Sequence, residues 1–406
     1  MTDNNENKVL NVPPLRFPEF TEEWKAEQLD NIATLSKGIG ISKEQLSEDG
    51  EPCILYGELY TKYKSEIIKQ VESKTDINGS KLKRSKANDV IIPCSGETAV
   101  DIATARCVPF DNILFGGDLN VISLHQYDGA FMSYQLNGKR KYDIARVAQG
   151  VSIVHLYGEH LKAIKTYNPT LPEQQKIAKL LSLLDDRIDT QNKIIEKLQS
   201  LIKGLNDNIH KGIKGETVCF SDLGEAYSGL SGKGGDDFGY GEPFITYMNV
   251  YQNTYISEKD YELVQIAPNE KQNSVQYGDA LFTLSSETPE EVSIGAVYLG
   301  NTQKLYLNSF CFGIHFYDER VLPQYLAHFI SSSSFRRAIY PLAQGSTRFN
   351  LQKNDFMKMK FLLPSLEKQG HIANTLDALH CRLANEKSLT EQYILLKKYL
   401  LSLMFI

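Results

Sequence analysis

Apolar positions along this chain follow two different periods, and the two alternate twice. In residues 15–170, and again in 216–362, short apolar runs are broken by turn residues. Val90-Ile91-Ile92-Pro93, Leu119 to Leu124, Ala280 to Leu284 and Phe310 to Phe316 predict strands, while Gln324 to Ile330 and Phe335 to Ile339 predict helices. Each stretch is then followed by apolar residues in steps of four and three. The first series is Ile177, Leu181, Leu184, Ile188, Gln191, Ile195, Leu198, Ile202, Leu205 and Ile209, with Gln191 its one polar member. That is the seam of a coiled coil rather than an ordinary amphipathic face. Pro172 and Glu173 suit a helix start, and Gly212 and Gly215 suit its end. Such a helix is roughly 58 Å long at about 1.5 Å per residue.

Pro364 opens a second series with Ile372, Leu376, Leu379 and Leu383. Glu386 takes the next position, and the leucine pattern then predicts a slipped register through Leu389, Tyr393, Leu396, Leu400 and Leu403. A stripe this long cannot stay in water, and the other helix of the same chain is the simplest partner. Packing of each stripe on its own domain and a zipper between two chains are the other arrangements. With one domain before each helix, antiparallel pairing is expected, which places the domains at opposite ends of a spacer.

The alternation has a cause visible residue by residue. Ala148-Gln149-Gly150 returns as Ala343-Gln344-Gly345, and the offset of 195 then holds through Ile177/Ile372 and Arg187/Arg382. Earlier blocks recur at offsets from 190: Glu51-Pro52-x-Ile54-x-Tyr56 with Glu242-Pro243-x-Ile245-x-Tyr247, and Asp89 and Ser95-x-Glu97-Thr98 with Asp279 and Ser285-x-Glu287-Thr288. The chain is a tandem duplication. The expected fold class is α+β: two similar mixed α/β domains (1–170 and 216–362), each followed by a long helix (171–215 and 363–406), with an internal pseudo-twofold repeat.

Composition adds limits. With 406 residues and 42% apolar content, each half can hold its own core. No apolar run is long enough for a membrane span, and the polar start Met1 to Lys8 has no signal-like apolar stretch, so a cytoplasmic protein is expected. The six cysteines lack Cys-x-x-Cys spacing and do not recur between halves, which points to reduced, packing thiols. The net charge of −6 conceals segregation: residues 216–300 hold fourteen acids against three bases, and 301–362 hold three against eight. A local basic face therefore remains available for phosphate.

Catalytic chemistry is hard to find. The chain has no Asp/Asn-Pro-Pro-aromatic tetrad and no phosphate-binding Gly-x-x-x-x-Gly-Lys-Ser/Thr; Gly232 to Gly241 reads as a loop. His155 and His160 have Asn350 and Asp355 as counterparts, so no metal site is expected. The repeated Ser-x-Glu-Thr has no fixed base beside it and reads as a turn or cap.

Signals for nucleic acid are stronger. Lys139-Arg140-Lys141 and Arg336-Arg337 stand at matching addresses just before the two Gln-Gly turns. Gln149, Gly150 and Ser152, and Gln344, Gly345 and Thr347, supply amides, hydroxyls and backbone N–H groups suited to phosphates and base edges. Arg348 adds a bidentate donor in the second copy only, and Lys81, Lys83, Arg84 and Lys86 add a basic stretch in the first only. Two such domains should read different sequences.

These residues resemble the specificity subunit of type I restriction-modification enzymes. The likeness covers essentially the whole chain. It rests on Leu15-Arg-Phe-Pro-Glu-Phe20 with Trp24, on the two Gln-Gly turns, and above all on Leu171-Pro-Glu-Gln-Gln-Lys-Ile-Ala178, with a looser copy at Leu363-Pro364 to Ile372-Ala373. Lys368-Gln369-Gly370 departs from the Glu-Gln-Gln of the first copy. The resemblance implies two target-recognition domains, each binding half of a split double-stranded DNA target, and helices that set the half-site spacing and dock two methyltransferase subunits. Restriction subunits that translocate DNA join that complex. It implies no cofactor in this chain, with S-adenosylmethionine, ATP and Mg in the partners. A stand-alone DNA endonuclease and a protein-binding coiled-coil scaffold without a DNA role are the alternatives.

Overall fold

The structure is a computed structural model that describes residues 10–406. The polar start Met1 to Lys8 lies outside the described residues. Two compact units are present: one takes the chain as far as Asn192 together with Ser388–Ile406, the other Lys193–Lys387. Each unit therefore contains one mixed α/β domain and a length of both long helices.

The first unit is built on a four-stranded antiparallel sheet in the order Ala33–Lys37, Leu119–Leu124, Asp89–Pro93, Arg106–Val108. Its central strand explains the unbroken apolar run of the sequence. Alternate side chains of a strand point to opposite faces, and here both faces are covered. Val90 and Ile92 enter one cluster with Ile122, Met132 and Leu136. Ile91 between them enters another with Ile54, Phe115 and Val121. A smaller five-stranded sheet holds Glu51–Ile54 and Lys83–Arg84, and a ribbon pairs Lys25–Gln28 with Lys165–Asn168.

The second unit repeats the plan. Its sheet runs Gly224–Ser228, Cys311–Phe316, Ala280–Thr283, Gly295–Val297, again antiparallel throughout. Ala280 and Phe282 face a phenylalanine-rich core, and Leu281 faces the other side. The ribbon Glu216–Cys219 with Lys360–Leu363 closes it. The small sheet has three strands here, Tyr261–Val264, Phe238–Ile245 and Tyr306–Leu307. Repeated Asp89 and Asp279 do the same job: each carboxylate accepts the backbone N–H three residues earlier, from Lys86 and from Gln276, and so fixes the turn into the central strand.

The long helices are Leu171–Lys211 and Leu366–Leu403. Within the first unit, Lys397 meets Asp185, Tyr393 meets Arg187, and Met404 and Phe405 pack with Ile177, Ala178 and Leu181. Numbers rise on one helix as they fall on the other, so the pair is antiparallel. The slip expected near Glu386 does not occur. The buried or half-buried track continues in steps of three and four through Leu383, Glu386, Thr390, Tyr393, Lys397, Leu400 and Met404, and Leu396 is exposed. The leucine pattern misled because polar side chains keep the seam there. Glu386 is held by Arg382 one turn back, and Lys397 lies between Glu66 and Asp185.

The helix starts explain the Glu-Gln motif. Glu173 is fully buried and takes a two-pronged bond from the Arg16 guanidinium at 2.6 and 2.7 Å, with the Trp24 ring N–H at 3.3 Å. Gln174 donates to the Pro169 carbonyl and accepts the Asp128 N–H, while Gln369 donates to the Arg320 and Pro364 carbonyls and accepts the Leu322 N–H. The glutamine latches the helix to its domain in both copies, and the glutamate clamp exists in the first alone.

Candidate nucleic-acid interface

Each unit carries an exposed hairpin tip. In the first, Gln149 and His155 exchange two backbone hydrogen bonds, 2.9 and 2.7 Å, around Gly150 to Val154. In the second, Ala343–Gln344 pairs with Phe349–Leu351 around Gly345 to Arg348. The glycines are required. Gly150 has φ +119 and Gly345 φ +145, and a Cβ there would lie 2.1 Å from the Ile153 carbonyl oxygen or 2.0 Å from that of Arg348. Similar backbones thus present different side chains: Val151, Ser152 and Ile153 in one copy, Ser346, Thr347 and Arg348 in the other, all exposed.

The tips are zipped to the Ser-x-Glu-Thr motif. Strand Ser95–Gly96 pairs with Val154–His155, and Ser285–Ser286 pairs with Asn350 and Phe349. A short helix leans on the same strand. Tyr60 donates to the Ser95 carbonyl at 3.1 Å, and Tyr247 to the Ser285 carbonyl at 2.8 Å. Hairpin, strand and short helix enclose a cavity of about 800 Å³ in the first unit, lined by Tyr56, Tyr60, Glu97, Asp101 and Ser152 among others. The second unit has one of about 590 Å³ at the matching place, lined by Tyr247, Tyr251, Glu287, Glu291, Thr347 and Arg348.

Behind each cavity a guanidinium ties down backbone, buried in Arg106 and half-buried in Arg336. Arg106 donates to the carbonyls of Leu59, Tyr63 and Ala105. Arg336 donates to those of Glu290, Val292 and Ser293, and burial pulls its pKa down to about 10. This corrects one expectation: Arg336 is turned inward as a brace, because three carbonyls of a tight turn need donors, and only Arg337 beside it is exposed.

Other expected residues fall elsewhere. Arg140 donates to the Ile406 carbonyl, pairs with Asp143 and lies over the Tyr167 ring, so Lys139 to Lys141 stands beside the end of the second long helix. Arg84 is held two-pronged by Glu51 at 2.6 and 3.0 Å on the small sheet, whereas Lys81 and Lys86 are exposed there. Gln149, Gly150, Gln344 and Gly345 lie at the exposed hairpins with Ser152, Thr347 and Arg348; Arg348 stacks on exposed Phe310 with its guanidinium 5.4 Å from the ring centre. Thr98 is a cap, accepting the Asp101 N–H, whereas its counterpart Thr288 makes no side-chain cap bond, so the turn-or-cap reading of the repeated motif holds as a side-chain cap in the first copy only. Among the described residues no group of histidine, cysteine and carboxylate side chains could hold a metal ion, and no helix is long and apolar enough to cross a membrane.

The tyrosines and glutamates of the cavities were not among the residues singled out for DNA contact. The signal was present: Tyr56/Tyr247 and Glu97/Glu287 belong to the repeated blocks. Their meaning needed the fold, which joins segments some 40 to 100 positions apart.

Comparison with known proteins agrees with this architecture. The model of the type I restriction modification DNA specificity domain matches twice, over residues 21–200 and 215–392, and the chain belongs to that family. It is 23% identical to the type I restriction enzyme MjaVIII specificity subunit of Methanocaldococcus jannaschii, over 96% of this chain and 93% of the relative. Among solved structures, the S subunit of a type I restriction-modification system from M. genitalium superimposes with a TM-score of 0.57 at 14% identity, covering 97% of this chain and 99% of that one. A chain from a study of complex assembly and conformational transition of the type I R-M system gives 0.59, also at 14% identity, over 97% and 99%. At such identity these structures establish the fold.

Proposed function

We propose that this chain is the DNA-reading, non-catalytic specificity subunit of a type I restriction-modification complex, each domain recognising one half of a bipartite target. The observation that carries the reading is the doubled hairpin and cavity: one backbone frame, rebuilt in each unit with different side chains at its tip. A frame kept and a surface changed is what two readers of two sequences require, because base-edge discrimination resides in side chains. The long helices act as a spacer and as the seat of two methyltransferase subunits, and translocating restriction subunits join them. Methyl donor, ATP and Mg then belong to those partners, acting on cytoplasmic DNA.

The test is co-expression with the neighbouring methyltransferase and single-molecule mapping of methylated adenines. A split motif with a fixed gap, absent without this chain, is the expected result; an unaltered methylation pattern would favour a scaffold. Deleting seven residues from one long helix shortens it by about 10 Å, close to three base-pair steps. The gap should change or binding be lost, with each half-sequence intact. An unchanged gap would remove the spacer role.

A further inference from the structure

We infer that Glu97 and Glu287 are the specificity-determining carboxylates of the two domains, each accepting a hydrogen bond from the exocyclic amino group of a base in its half-site. The inference rests on the DNA-reading function and names one contact within it. Both cavities contain two carboxylates at matching places. One of each pair is already engaged by the protein: Asp101 accepts the Thr98 hydroxyl at 2.7 Å, and Glu291 accepts the Tyr251 hydroxyl at 2.7 Å. The other, Glu97 or Glu287, is exposed, lines the cavity and has no ion pair or hydrogen bond among the described residues.

An unpaired carboxylate is costly where phosphates approach, since it repels them. It also has no place in a surface that binds only through charge. What it can do is accept hydrogen bonds, and in the major groove the donors are amino groups, N4 of cytosine and N6 of adenine. Its position supports that use. The strand that ends immediately before it is zipped to the hairpin tip and braced by a tyrosine, so the carboxylate shares a cavity wall with Ser152 in one unit and with Thr347 and Arg348 in the other.

The experiment uses the assembled methyltransferase complex with wild-type chain, Glu97→Ala and Glu287→Ala, because glutamine would keep an oxygen able to accept from the same amino group. Both residues are exposed, so the variants should assemble normally, which thermal melting checks. Each variant should relax selection at one position of one half-site by about tenfold and leave the other half-site untouched. Duplexes carrying purine for adenine, or 2-pyrimidinone for cytosine, at that position then remove the amino group alone. Wild type should lose about tenfold on one of the two analogues and the variant nothing, which also says whether the amine is adenine N6 or cytosine N4. Unrelaxed selection in both variants, with the wild-type complex reading a bipartite site, would overturn the carboxylate assignment alone. A wild-type complex with no sequence-dependent binding would overturn the DNA-reading function first.

Discussion

The two units differ most where each domain grips the long helices. The nine-residue helices Gly129–Asn137 and Pro323–Ser331 are equivalents, and their sixth residues are Tyr134 and His328. In the first unit Tyr134 donates to Asp185 at 2.6 Å, and Lys397 bridges Asp185 and Glu66 at 2.6 and 2.5 Å. In the second, the offset of 195 puts His380 in place of Asp185 and Ile202 in place of Lys397. There His328 bonds Asp377 at 2.7 Å, Tyr255 shares that carboxylate at 2.6 Å, and the rings of His328 and His380 lie 5.3 Å apart. One junction is a charged triad, the other a mostly neutral histidine cluster beside an apolar seam. The duplicated frame tolerates either, provided the buried polar atoms are paired.

The largest effect is expected from Lys397→Met. Lys397, Glu66 and Asp185 have side chains only 15%, 10% and 6% exposed. Removing the cation leaves two buried carboxylates facing each other, at a cost of about 3–5 kcal/mol. Denaturant melting followed by hydrogen exchange should show the loss in the first unit and at Ser388–Ile406, with the second unit unchanged. A loss under about 1 kcal/mol would mean that the triad behaves as a surface ion pair.

The clamp at the first helix start comes next. Glu173→Gln replaces a charged two-pronged bond to Arg16 by a neutral one, with an expected loss of about 2 kcal/mol. Its counterpart Lys368 is exposed, and Lys368→Gln should stay within about 0.5 kcal/mol. Equal effects in melting would mean that the two helix starts are held alike.

A smaller and more local difference lies at the hairpin tips. Exchanging Arg348 for isoleucine and Ile153 for arginine should trade preferences at one position of each half-site. The discrimination involved is about 1–3 kcal/mol for a good bidentate contact, read by methylation mapping. Gly150→Ala and Gly345→Ala should instead weaken a whole half-site, because the strained backbone no longer holds its tip.

Much of this was legible in the chain and some was not, for physical reasons. Unbroken runs such as Val90-Ile91-Ile92 announced a strand, and the 4,3 steps announced the helices; that both faces of the strand are covered shows only in the fold. The seam beyond Leu383 was obscured because Lys397 is paid for by partners at Glu66 and Asp185, which no local pattern reveals. Arg336 looked like a phosphate ligand because charge in a sequence carries no direction; only the turn at Glu290 to Ser293 shows where it points. The cavities were invisible for the same reason, since Tyr60, Glu97 and Ser152 meet only in the fold.

The smallest effect separates the two junctions by pH. Burial holds His210, His328 and His380 below their ordinary value of 6.5, against the pull of Asp377 on His328. The unfolded chain therefore takes up protons that the folded second unit refuses. Stability from these groups is complete above pH 6.5 and declines as pH falls below it towards their folded values. Asp185 acts with the opposite sign: burial raises it above 3.8 although Lys397 pulls it down, so mild acid costs the first unit nothing through this group. Hydrogen exchange at pH 7.5 and 5.5 should thus show protection lost around Pro323–Ser331 and kept around Gly129–Asn137. Replacing His328 and His380 together by glutamine should shrink that response to the share that His210 carries, since neither replacement titrates. Equal loss in the two helices would mean that the histidine cluster does not set the acid response of its unit.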